Sequence, residues 1–114
     1  QVMEYEFYMG PQDPVIVVRS FGRKTNLPRL EKHVGISPLR VGKNEECIFH
    51  TGLSLGELHP FLENYLWKVL DEQIFENEKV YVYAGNPNEI LEIESNALKY
   101  VIGVINGLLA EVCD

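Results

Sequence analysis

The chain has 114 residues, 46% hydrophobic and 24% charged, which places it with single globular domains and excludes disordered or low-complexity chains. With 17 acidic and 10 basic side chains its formal charge is -7. That charge favours solubility and attraction to a basic partner over bulk capture of nucleic acid phosphates. Along the chain the charge is uneven. Residues 1–43 hold seven basic and four acidic side chains, a sum of +3, and the remainder holds three basic and 13 acidic, a sum of -10.

Met3 to Met9 alternates, with Met3, Tyr5, Phe7 and Met9 on one face, and predicts a half-buried strand. Gly10 to Pro14 is a turn cluster, and Val15 to Phe21 is a β-branched run that predicts a more buried strand. After a polar loop at Gly22 to Asn26, Leu27, Leu30 and Val34 share one face of a short helix. Thr25 or Asn26 caps it, Pro28 sits in its first turn and Gly35 stops it. Leu39 to Asn44 reads as a loop or weak strand, and Glu45 to Thr51 as a short strand broken by Gly52.

Ser54 and Glu57 have capping-box spacing. Leu55, Leu58, Leu62, Tyr65, Leu66, Val69 and Leu70 then recur with a helical period, interrupted by Pro60. Lys79 to Gly85 predicts a strand with Tyr81 and Tyr83 outward. A turn follows at Asn86-Pro87-Asn88, and Glu89 to Ser95 reads as the return strand, with helix as the competing reading. Ser95 or Asn96 caps a last, largely apolar helix expected over Ala97 to Val112. These elements predict a single α+β domain over residues 1–114. The expected architecture is a two-layer sandwich, with a mostly antiparallel sheet of four to five strands and two main helices.

No metal-ligand spacing joins His33, His50, His59, Cys47 and Cys113, so no metal and no cofactor are expected. Two thiols 66 positions apart make no disulfide framework. With no basic leader and no apolar run long enough to cross a bilayer, the expected location is the cytoplasm and no membrane contact is expected. Cys47 reads as a buried, inert thiol, and the carboxylate pairs Glu45-Glu46, Asp71-Glu72 and Glu92/Glu94 as solvated charge. No catalytic residue is assigned.

Three sets of residues are candidates for binding. Tyr81, Tyr83, Glu92 and Glu94 share the outer face of the expected hairpin and suit a basic protein, since rings supply area and carboxylates read Lys and Arg. Arg19, Arg23, Lys24 and Arg29 form a cationic segment fit for a small anion or nucleotide, while a long nucleic acid is opposed by the acidic remainder. Gly103 and Gly107 on the last helix permit close approach to the sheet or to a second copy, as in a homodimer.

Leu30, Gly35-Ile36, Pro38 and Lys43 spell L-x(4)-G-I-x-P-x(4)-K, followed by an apolar strand and an amphipathic helix. This pattern resembles small bacterial domains of unknown function found near polymorphic toxins. The resemblance implies an α+β binding domain. Joined to the acidic charge, it sets the expected function as a non-enzymatic inhibitor or immunity protein that occludes a basic toxin or nuclease. The alternatives are an anion- or nucleotide-binding domain built on residues 19–43, and a homo-oligomeric structural protein.

Overall fold

The first two strands form where alternation and β-branching place them. In the computed structural model, which describes residues 3–59, 67–76, 78–83, 88–104 and 107–114, β1 is Met3–Met9 and β2 is Pro14–Ser20. They pair antiparallel with Phe7 opposite Ile16. The short helix α1, Leu27–Val34, is capped as its sequence predicts. The Asn26 side-chain oxygen accepts from the Arg29 N–H at 3.1 Å, and Gly35 ends the helix in the left-handed region (φ 70°), its N–H donating to the Glu31 carbonyl. A two-residue strand β3, Arg40–Val41, pairs with the end of β1.

Residues 44–51 are helix, not strand. In α2, Asn44–Thr51, Glu45 and Glu46 lie in the first turn, where carboxylates favour the helix dipole, and the Glu46 carboxylate accepts from the Lys43 N–H at 2.9 Å. Gly52 supplies the left-handed stop (φ 76°). A strand would put Cys47 and Phe49 on one face. The helix instead buries Cys47 and leaves Phe49 83% exposed.

The long helix expected from Leu55 to Leu70 is also corrected. The Ser54 and Glu57 bonds close a 3-10 turn over Leu55–Glu57. Leu62, Tyr65 and Leu66 lie outside the described residues, and Val69 and Leu70 belong to strand β4, Trp67–Asp71. A second 3-10 turn spans Glu72–Glu76. The hairpin strands are β5, Lys79–Tyr83, and β6, Ile90–Glu94, antiparallel with Tyr81 opposite Glu92, which puts the two on one face as expected. Helix α3 runs Ser95–Val104, shorter than expected. Leu108–Ala110 form strand β7, parallel to β4. Short apolar runs fit both periods, and here the sheet decides.

The fold is α+β, with a mixed five-stranded sheet in the order β3-β1-β2-β4-β7 and the separate β5-β6 hairpin. Strand β2 pairs antiparallel with β1 and parallel with β4. Val15, Val17 and Val69 pack with Leu30 and Val34 of α1. On the opposite face Phe7 and Ile16 pack with Cys47 and Leu58, while Val18 and Leu70 pack with Ile74, Val80 and Leu98. Cover on both faces explains why β2 reads as an unbroken apolar run. Among the described residues no helix is long and apolar enough to cross a membrane.

Candidate functional site

An apolar cavity follows from the brevity of β3. That strand covers β1 only at Tyr8 and Met9, and the Gly42 N–H donates to the Phe7 carbonyl at 2.8 Å. Beyond Phe7, no described strand pairs with this side of β1. A cavity of about 210 Å³ opens there, lined by Tyr5, Glu6, Phe7, Tyr8, Val41, Gly42 and Leu55. Leu55 is brought in by the 3-10 turn, whose backbone N–H at Leu55 donates to the Asn44 side chain at 2.9 Å. Gly42 has to be glycine, because a Cβ there would run into the Phe7 ring. His50 of α2 stands 6.5 Å from Phe7, ring to ring.

One wall carries a charge. Glu6 accepts from Arg19 Nε at 3.0 Å and from the Thr25 hydroxyl, and Arg19 also pairs with Glu4 at 2.8 Å. Burial alone would raise the Glu6 pKa, but the hydrogen bonds from Arg19, Thr25 and Tyr8 outweigh it and hold the carboxyl below its usual range. Glu6 is therefore an anion at neutral pH beside an apolar space. Burial, helped by the Glu6 charge, pushes the Tyr8 phenol up to about 12.

Sequence reasoning did not single out Lys68, which lies on this face of the sheet. Phe7 faces Ile16 and Ile16 faces Lys68 across three strands, so these residues form one row. Lys68 is 2% exposed. A central strand covered on both sides buries it. His59 follows buried Leu58, and burial lowers its pKa. Cys47 is buried and its thiol is pushed up by that burial, which makes it a poor nucleophile. Among the described residues no group of His, Cys, Asp and Glu is placed to hold a metal.

The cationic segment does not form an open anion site. Arg19 serves Glu4 and Glu6. Arg23 donates to the Cys113 carbonyl at 3.3 Å and lies 3.7 Å from the buried Asp71 carboxylate, so Asp71 is no solvated charge. Arg29 donates to the same carbonyl at 3.0 Å and lies 3.7 Å from Glu111. Lys24 stays exposed. On the hairpin, the Tyr81 hydroxyl donates to Glu92 at 3.0 Å, and Glu94 lies opposite Lys79. The Tyr83 side chain lies outside the described residues. Gly103 lies within α3, and Gly107 falls beyond its end, before β7. The two glycines therefore do not share one helix face.

A family model described as "Aminoacyl-tRNA editing domain" matches residues 7–100. Among solved structures, the hypothetical protein APE2540 superposes with a TM-score of 0.85 at 22% identity, over 99% of this chain and 74% of that one. A candidate trans-editing enzyme for prolyl-tRNA synthetase gives 0.83 at 20% identity, over 99% and 70%. A scaffold from a study of computational epitope grafting gives 0.85 at 18% identity, over 100% and 72%. At these identities the structures establish a shared fold. Comparison with curated proteins finds no match.

The family match overturns the likeness to toxin-immunity domains. With it go the non-enzymatic inhibitor, the basic toxin-like partner and the leaning away from an enzyme. The L-x(4)-G-I-x-P-x(4)-K pattern runs from the C-terminal end of α1 through β3 to the Lys43 cap of α2, and its Gly35 is a helix stop that unrelated folds share. The model that matches covers more than four-fifths of the sequence, from the middle of β1 into α3, and the chain belongs to the aminoacyl-tRNA editing domain family.

Proposed function

We propose that the protein is a hydrolase that removes the amino acid from an aminoacyl-tRNA, with the cavity beside β1 receiving the aminoacyl group. The observation that carries this reading is the family match over residues 7–100. The likeness to a candidate trans-editing enzyme for prolyl-tRNA synthetase supports action on tRNA already charged. In the reaction the ester C–O bond breaks. Water supplies hydroxyl to the acyl carbon and a proton to the ribose oxygen, leaving a free amino acid and uncharged tRNA.

The cavity suits that substrate. Its walls are mainly Tyr5, Phe7, Val41 and Leu55, and its volume of about 210 Å³ favours a small, uncharged side chain. An aminoacyl ester carries an α-ammonium group, and the ionised Glu6 at the wall is its natural counter-charge. The test is to incubate the protein with a panel of tRNAs, each charged with one labelled amino acid, and to follow label release. The expected result is release above the spontaneous rate for one or a few small amino acids. Spontaneous rates across the whole panel would overturn the reading.

A further inference from the structure

The aromatic groups around the cavity do not stop at its wall. Phe7 is part of that wall. His50 lies next to it, 6.5 Å away, and the Phe49 ring stands edge-on to His50 at 5.0 Å. The row thus leads from the cavity to open surface, where Phe49 is the most exposed large apolar side chain among the described residues. Val41 and Leu55, on the cavity's rim, are exposed as well. Helix α2 buries one residue, Cys47, and offers its remaining apolar surface to solvent.

The charges around this patch are nearly balanced. Arg40 is held by Glu46 through two hydrogen bonds of 2.8 and 2.7 Å, while Lys43 and Glu45 are exposed. Such a surface has little to offer a phosphate track and much to offer the flat face of a base. Stacking on aromatic side chains is the sequence-tolerant mode by which proteins hold unpaired nucleotides.

We propose that Phe49 and His50 form a stacking platform for the unpaired 3′ nucleotides of tRNA, guiding the esterified end into the cavity. The proposal rests on the reading of the cavity as the aminoacyl site and adds where the RNA lies. It is tested by fluorescence anisotropy with two uncharged RNA hairpins of one stem sequence, one with a short unpaired 3′ tail and one blunt-ended. The tailed RNA is expected to bind at least about ten-fold tighter. Phe49→Ala should weaken it about 5- to 150-fold, the range for one lost base stack, and Phe49→Trp should keep it. Phe49 is 83% exposed, so its replacement leaves the core intact. Phe21→Ala, at another exposed ring, serves as the control and should bind like the parent.

Equal binding of the two hairpins, or full binding by Phe49→Ala, would overturn the proposal. So would a Phe49→Ala variant that binds RNA normally but turns a dimer into a monomer in light scattering, since a second copy would then cover the patch. Release of amino acids is measured separately. Release without dependence on Phe49 removes the platform alone. Dependence of tailed-RNA binding on Phe49 without release removes the hydrolase alone.

Discussion

Glu6 concentrates the chemistry of the cavity wall. Its carboxylate is fixed by Arg19 and Thr25 and held ionised, so it can meet an ammonium group without first losing a proton. Glu6→Gln keeps the shape and removes the charge. The expected outcome is a KM for aminoacyl-tRNA raised about ten-fold, the worth of a charge-assisted hydrogen bond, with kcat changed far less. An equal fall in kcat at unchanged KM would show that Glu6 does not hold the ground-state substrate. Its neighbour Tyr8 makes a second prediction in pH. The Tyr8 pKa is raised to about 12 in the folded protein from an ordinary value of 10.0. Between those values the unfolded chain has lost the proton that the native chain keeps, so stability is present below pH 10 and falls as pH rises towards 12. Urea midpoints measured across that window should decline, and Tyr8→Phe should flatten the decline. The Glu6 shift has the opposite sign. Its contribution is present above the ordinary carboxylate range and is lost as pH falls through the lowered value.

At the scale of elements, the cavity depends on β1, the β3 turn and the 3-10 turn meeting, and Gly42 sets how closely they meet. A methyl group at Gly42 collides with the Phe7 ring. Gly42→Ala should therefore cost about 1–3 kcal/mol, the usual penalty for overpacking, and displace the cavity wall. Phe7→Leu in the same chain relieves the collision, so the double variant should be more stable than the two single losses added together. Strict additivity in urea denaturation would mean that the ring and the turn do not press on each other. Residues 41, 42 and 55 line one space with residues 5–8, and no local spacing in the sequence announces that. What was legible were elements with local signals: alternation in β1, a cap at Thr25 or Asn26 and the Gly35 stop of α1, and the shared face of Tyr81 and Glu92 on the hairpin. What was hidden were elements whose conformation is set from a distance. Val69 and Leu70 become strand because β2 and β7 flank them in parallel, across some 50 and 40 positions, and Cys47 to Phe49 lie in a helix that no described strand pairs with. Lys68 was not singled out, and the cationic segment was misread because its acidic partners come from β1, β4 and the C-terminal segment.

For the whole molecule, a net charge of -7 and the polyanionic substrate proposed above pull in opposite directions, and the placement of the charges offers a reconciliation. The +3 of residues 1–43 is largely spent inside the protein. Arg19, Arg23, Arg29 and Arg40 each face a carboxylate, leaving Lys24, Lys32 and Lys43 exposed. The acidic remainder gathers elsewhere. Glu72, Glu76 and Glu111 line one concavity of about 410 Å³, and Glu76, Glu78 and Glu94 line another of about 310 Å³. Those surfaces repel phosphate and leave the β1 edge and α2 as the side on which RNA can approach. An RNA held there by stacking and by one or two lysines displaces few counterions. The logarithm of its affinity should then fall with the logarithm of salt concentration at a slope of about -0.7 to -1.4, from roughly 0.7 per phosphate contacted on a single strand. Anisotropy titrations of the tailed hairpin at several salt concentrations measure this slope. A value near -4 or steeper would require a cationic track of about six or more contacts. The exposed lysines of the first 43 residues cannot supply that track, so such a value would place the RNA on a different face of the molecule.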